Sequence, residues 1–309
     1  MLKLCLTMYG KFENKYLTAD NKDRAFVEAN KLKTLWFNTG TLCNLTCKNC
    51  YIESSPKNDR LSYLSFEEFK KFVNESIQNE MGTIEIGFTG GEPFMNKDIF
   101  KMIKYSLDNG FKTLVLTNAM KPMMNNNKEL FKLNHLNLTI RVSIDHYSKS
   151  KHEEVRGPLS WEPMIEGLKW LSDNKFNFAL ATRLMWNEDE KTTRKNFKNF
   201  IENYQLNLDA FSNSDLVTFA EMNEKKDTAE ITTECWGILN KSPNDIMCSS
   251  SRMIVKKKGD KTPSVIACTL LPYSDEFTLG LNLKESMKKI YLNHPHCSKF
   301  CVLGGSSCS

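Results

Sequence analysis

Two periods alternate along residues 34–220, and this alternation limits the fold more than any other feature of the chain. Short runs rich in β-branched and aromatic residues read as strands at 34–38, 83–88, 112–117, 136–144 and 176–184, with a weaker one within 207–220. Between them, apolar residues recur at helical spacing. Ser65 and Glu68 form a capping box ahead of Phe66, Phe69, Phe72, Val73 and Ile77. Ile99, Met102, Ile103 and Leu107 share one face of 98–108, with Gly110 as the stop. The pattern returns with Met164, Ile165, Leu168 and Leu171 in 160–173, and with Phe197, Phe200, Ile201 and Tyr204 in 190–204. A short helix is expected around 127–134. Strand–helix alternation of this kind specifies an α/β fold with a parallel sheet covered by helices. At about 30 residues per unit, roughly six units fill the span, too few for a closed eight-fold barrel.

The cysteines break the evenness of this plan. Of the 10 in the 309-residue chain, one is Cys5, three lie at 43–50 and six fall between Cys235 and Cys308. Thiols used as core filler would be spread more evenly. Clustered thiols in a reducing compartment point to metal or redox chemistry. No stretch reads as a membrane span or a signal peptide, so a cytoplasmic location is expected. The net charge of +5 is modest and runs such as Lys256-Lys257-Lys258 are short, so nucleic acid is not an expected partner. Cys5 reads as a buried or idle thiol.

The first cluster is Cys43-Asn-Leu-Thr-Cys47-Lys-Asn-Cys50-Tyr51, which follows the first strand directly. Its C-x3-C-x2-C spacing fits neither a zinc-finger pair nor the four-cysteine ferredoxin run. Three thiolates on a four-iron cube leave one iron open to a small molecule. About 40 residues later, at the end of the second strand, comes Gly90-Gly91-Glu92-Pro93, whose glycines permit positive φ and close backbone approach. Together the two motifs resemble the signature of the radical S-adenosylmethionine (SAM) superfamily.

That resemblance implies a (β/α)6 partial TIM barrel over 33–220, preceded by an N-terminal extension at 1–32 that packs on it. It implies a [4Fe–4S] cluster held by Cys43, Cys47 and Cys50, with SAM chelated at the open iron. Tyr51, Gly90, Gly91, Glu92, Pro93, Asn118, Ser143, Asp145 and Arg183 are then the expected cofactor contacts. In this scheme Glu92 and its turn hold the methionyl amino group, and Arg183 pairs with the carboxylate. Arg156-Gly157 belongs to the same fourth-strand element. One departure from the family is Ala119, where Thr-Asn-Gly is common.

From residue 221 the strand–helix rhythm stops. Cys248 precedes a strand, Gly259-Asp260 marks a turn, and a returning strand ends at Cys268, a hairpin with a thiol at each outer end. Asn282 caps an expected helix carrying Leu283, Met287 and Ile290, and the tail contains Cys297, Cys301 and Cys308. This order resembles the SPASM or twitch auxiliary-cluster domain of some radical SAM enzymes. The region 221–309 is therefore expected to be a small Cys-rich hairpin-plus-helix domain with a second iron–sulfur cluster. Cys248, Cys268, Cys297 and Cys301 are its expected ligands, with Cys308 as substitute or extra and Cys235 as another candidate. The alternative is zinc, with His294 or His296 joining Cys297 and Cys301.

The function this implies is reductive cleavage of SAM to a 5′-deoxyadenosyl radical that abstracts hydrogen from a substrate. The expected electron donor is of flavodoxin or ferredoxin type. A peptide or protein substrate is favoured over a small molecule because of the C-terminal domain. A non-catalytic iron–sulfur or zinc protein on the same fold is the competing reading. The catalytic residues, the substrate and the oligomeric state are not legible.

Overall fold

The computed structural model describes residues 10–220 and 227–305. Strand β1 is Phe26–Val27, and β2 is Thr34–Asn38. Helix α1 (Phe66–Gln78) leads to β3 (Glu85–Thr89), α2 (Ile99–Asp108) to β4 (Lys112–Thr117), and the short α3 (Lys121–Met124) and α4 (Asn127–Phe131) to β5 (Leu138–Ser143). After α5 (Lys149–Arg156) and α6 (Trp161–Asp173) comes β6 (Asn177–Leu184), then α7 (Glu190–Asn203) and β7 (Leu216–Ala220). Strands β2 to β7 pair in sequence order, all parallel. This is the partial barrel expected from the alternation.

Local signals set the elements. Ser65 Oγ accepts from the Glu68 amide at 3.3 Å while Glu68 Oε2 accepts from the Ser65 amide at 2.9 Å, so the capping box is formed. The outward strand faces bury Leu35, Phe37, Ile86, Phe88, Val115, Ile140 and Val142 against Phe69, Phe72, Ile103, Leu168 and Phe197 of the helices. Ile77 departs from the expected face and is 46% exposed. Helix α5 was not visible to periodicity, because only His152 and Val155 of its residues are buried.

The C-terminal region, expected as a separate small domain, continues the barrel sheet. Strand β8 (Ser251–Val255) pairs parallel with β2, and β9 (Ser264–Ile266) returns antiparallel as the hairpin turn specified. Strand β10 (Thr278–Gly280) extends this edge. The helix expected from Asn282 is a single turn. Asn282 Oδ1 does accept from the Glu285 amide at 2.8 Å, but the Ser286 carbonyl is taken by the Arg252 guanidinium. Ile290 instead extends into β11 (Ile290–Tyr291), which pairs with β1. The N-terminal segment therefore packs largely on the C-terminal region, where Ala25 and Val27 join Ile231, Ile246, Leu279 and Leu292 in a second core.

Candidate functional site

The cysteine loop leaves β2 and is pinned from several sides. The Cys43 amide donates to Ser55 O at 3.1 Å, Lys48 N to Val155 O at 2.8 Å, and Glu53 N to Cys50 O at 2.8 Å. Asn49 turns the loop with φ +57°. The glycine turn lies directly on its approach. Gly91 N donates to Gly40 O at 2.8 Å and Glu92 N to Leu42 O at 3.1 Å. A Cβ at Gly91 would stand 2.1 Å from Leu42 O, and one at Gly90, whose φ is +133°, 2.5 Å from Gly40 O. The glycines are thus required because two backbones touch.

Cys43, Cys47 and Cys50 line one cavity of about 200 Å³ at the C-terminal ends of the parallel strands, with Tyr51, Gly90, Gly91, Asn118, Ser143, Asp145 and Arg183. Sequence reasoning named these residues from separate parts of the chain, and the fold brings them together. Burial pushes the Cys43 thiol up to about 12 and raises Cys47 as well. Asn118 Nδ2 faces Cys43 Sγ at 3.9 Å and donates to Asn44 Oδ1 at 2.9 Å. Asp145 takes Arg156 Nε at 2.6 Å and Arg183 Nε at 2.7 Å. Burial opposes ionisation of Asp145, but the two guanidiniums outweigh it and hold the carboxyl at about 2. Two cations against one anion leave a net positive wall beside the cysteines.

Glu92 and Pro93 are not part of this wall. Glu92 is 1% exposed and turns inward, where it accepts from Thr117 Oγ1 at 2.8 Å, Asn118 N at 2.8 Å and Phe94 N at 3.2 Å. The carboxyl ties the turn after β3 to the loop after β4. Burial raises it to about 7 against those donors. Ala119, the departure from Thr-Asn-Gly, holds φ +56° and so preserves the turn, and Gly167 of α6 leaves room for its carbonyl, which a Cβ there would meet at 1.9 Å.

Several cavity residues escaped the sequence reading. Trp36 and Arg141 come from inward strand positions, which parity with Asn38 and Ser143 would have exposed. Phe219, Thr269, Leu270 and Phe300 close the far wall. Phe219 of β7 stacks on Phe300 with centroids 6.0 Å apart, so the C-terminal region seals the open side of the barrel. No local signal marks that contact.

A second, smaller cavity of about 20 Å³ is lined by Cys248, Cys268, Cys297 and Cys301, with His296 beside them. Leu270 lines both cavities. Burial pushes Cys248 to about 11 and Cys297 to about 12. Cys235 lies outside this wall, its Sγ accepting from the Thr232 amide at 3.4 Å, and His294 does not line it either. Cys5 and Cys308 lie outside the described residues.

The donor chemistry fits the groups the resemblance implies. The first site has three thiols, backbone brought close by glycines, and a positive wall in a roomy cavity. The second lines one wall with four thiols, the donor type of an iron–sulfur cluster, around a space of about one water molecule, so its walls would have to part to admit a cluster. Among the described residues, no three His, Cys, Asp or Glu side chains converge on one point as a single ion would require.

A family profile, the Radical SAM superfamily, matches residues 37–201. The chain is 34% identical over 133 residues to the antilisterial bacteriocin subtilosin biosynthesis protein AlbA of Bacillus subtilis, covering 43% of this chain and 29% of that protein. It is 28% identical over 165 residues to the AdoMet-dependent heme synthase of Oleidesulfovibrio alaskensis, covering 53% of this chain and 39% of that protein. The matches thus span well under half of either relative. Among solved structures, anSMEcpe with bound AdoMet aligns at TM-score 0.59 and 16% identity, covering 86% of this chain and 82% of that one. Streptococcus suis SuiB bound to S-adenosylmethionine aligns at TM-score 0.58 and 13% identity, covering 81% and 63%. These two structures share the fold. With more than half of its length inside the family profile, and both signature motifs on one cavity, the chain belongs to the radical SAM superfamily.

Proposed function

We propose that the chain is a radical SAM enzyme that acts on a peptide or protein. The observation that carries this is the single cavity holding three cysteines, the Gly90-Gly91 turn and the Asp145–Arg156–Arg183 cluster. When bound there, the cluster and SAM supply one-electron cleavage of a sulfonium and hydrogen-atom abstraction from an unreactive C–H bond.

The chain's own residues bind, orient and exclude water. The cysteines would hold the iron, and Asn118 directs an N–H towards the Cys43 sulfur. Arg183, oriented by Asp145, presents a planar donor suited to a carboxylate. Trp36, Leu116, Phe219, Leu270 and Phe300 give the rest of the cavity an apolar lining that excludes water from a reactive species. Glu92 ties the turn after β3 to the loop after β4, and so holds in place the turn proposed to meet the methionyl amino group.

The peptide reading is supported by AlbA, named for bacteriocin biosynthesis, and by SuiB, whose structure with precursor peptide SuiA aligns at TM-score 0.56 and 12% identity over 84% of this chain. Cys248, Cys268, Cys297 and Cys301 are the proposed ligands of an auxiliary metal centre, an iron–sulfur cluster in preference to zinc. A flavodoxin- or ferredoxin-type donor supplies the electron. The clustering of the cysteines favours a reducing compartment, and among the described residues no helix is long and apolar enough to cross a membrane.

The test is anaerobic reconstitution of the full chain, then addition of SAM and reductant. Release of 5′-deoxyadenosine is expected, together with about eight irons per chain. No release from a chain with intact clusters would remove the enzymatic reading and leave a non-catalytic iron–sulfur protein.

A further inference from the structure

Three arginines are buried in the chain, and two of them have carboxylate partners. Arg24 meets Glu230 at 2.5 Å and Arg194 meets Glu190 at 2.8 Å. Arg252 is 1% exposed and has no Asp or Glu at ion-pair distance among the described residues. Its guanidinium is spent on carbonyl oxygens. Nε and Nη2 donate to Ser286 O at 3.1 and 3.0 Å, and Nη1 donates to Cys248 O at 2.6 Å and Ser251 O at 2.7 Å.

Carbonyl dipoles satisfy the N–H groups but do not cancel the charge. A fully buried arginine is normally paired, because removing an isolated cation from water is costly. Cys248, whose carbonyl accepts from Arg252 Nη1 at 2.6 Å, lines the second cysteine cavity, so the guanidinium lies directly behind that site. Neutral thiols carry no charge to compensate this cation. Once they bind a metal, each thiol gives up its proton and the centre becomes anionic. A centre of two thiolates and two imidazoles on a divalent ion would be neutral and would leave Arg252 uncompensated.

We propose that Arg252 is the built-in counter-ion of an all-thiolate metal centre formed by Cys248, Cys268, Cys297 and Cys301, with His296 beside the centre and not a ligand. The inference rests on the reading of these cysteines as an auxiliary metal site, and it adds the charge and ligand type of that site. Arg252 is a positioning residue. It stabilises the charged form of the centre and ties Cys248 to the turn at Ser286. The charge argument is made for the iron–sulfur cluster proposed above, and metal analysis of the loaded protein distinguishes it from zinc.

The test uses the full chain with Cys43, Cys47 and Cys50 changed to Ala, so that only the second site binds metal. Arg252→Gln keeps N–H donors and removes the charge, whereas Arg252→Lys keeps the charge and loses the fork. Metal retention is read by chelator competition after loading with iron and sulfide, or with zinc alone. Arg252→Gln should weaken retention by roughly 10–100-fold, and Arg252→Lys by only a few-fold. If the metal is an iron–sulfur cluster, Arg252→Gln should also lower its reduction potential, while Arg252→Lys leaves it near the parent's. His296→Ala should retain the metal. Melting of metal-free protein gives the control: Arg252→Gln should cost less melting temperature there than in the loaded form. Equal losses in Arg252→Gln and Arg252→Lys would make the role purely structural and overturn the proposal. So would parent-like retention in Arg252→Gln, or loss of metal in His296→Ala. A parent that binds no metal would instead remove the auxiliary-site reading beneath it.

Discussion

The two cysteine sites are built in opposite ways. In the barrel, three thiols sit within eight residues of one loop, beside a roomy cavity walled by Arg156 and Arg183. In the C-terminal region, four thiols come from three separated stretches, around a space of about 20 Å³. On the proposed reading, the first arrangement leaves room for a second molecule at its metal, whereas the second offers four protein donors. Charge follows the same division. Asp145 compensates part of the barrel's cationic wall with hydrogen bonds of 2.6 and 2.7 Å, while Arg252 has only carbonyls. On the proposed reading, the open site keeps a net charge for its ligand, and the closed one gains the charge that compensates Arg252 when it binds metal.

The largest expected effect separates the two sites outright. Changing Cys43, Cys47 and Cys50 to Ala should abolish deoxyadenosine formation and remove about half the iron. Changing Cys248 and Cys297 to Ala should remove the other half and leave SAM cleavage measurable. If either set removed all the iron, the sites would not be independent.

Asp145→Asn comes next. It leaves Arg156 and Arg183 facing each other across a neutral group, and should cost about 3 kcal/mol in urea unfolding at pH 7. The Asp145 carboxyl titrates near 2 in the folded chain and near 3.9 when unfolded, so the unfolded state binds the proton first. The stabilisation is therefore present above about pH 4 and fades as the pH falls towards 2, where wild type and variant should converge. Curves separated by the same amount at pH 7 and pH 2 would exclude this origin.

Gly91→Ala should cost about 2 kcal/mol, because its Cβ meets the Leu42 carbonyl and neither backbone can yield cheaply. Iron at the barrel site should be lost while the C-terminal metal stays, which metal analysis of the two cysteine backgrounds reads directly. The smallest effect is expected at Ala119→Gly. Relief of the left-handed backbone should raise stability by about 0.5–1 kcal/mol in denaturant melts, with metal content unchanged at both sites.

Much of the barrel was legible because its signals are local. Strand β4 falls where the β-branched run placed it, the Ser65–Glu68 box caps α1, and Gly110 ends α2 with φ +80°. The failures have physical causes. Helix α5 buries too few side chains to carry a period, yet it delivers Arg156 to the site. The helix expected from Asn282 has the correct cap, but Arg252 takes the Ser286 carbonyl and β1 draws Ile290 into a strand. Glu92 has the expected place in the motif, and its bonds to Thr117 and Asn118 on the next loop were not legible because they join residues about 25 positions apart.

The parallel αβ order, the three-cysteine loop and the glycine turn are written in short stretches of sequence, because each depends on residues close in the chain. Long-range packing settles that the C-terminal hairpin joins the barrel sheet through β2 and β8, and that Phe300 closes the open side against Phe219. It also settles that four distant thiols share one wall near an arginine without a carboxylate. Those outcomes come from burial and pairing between segments more than 80 residues apart, such as Phe219 and Phe300, which no local period encodes.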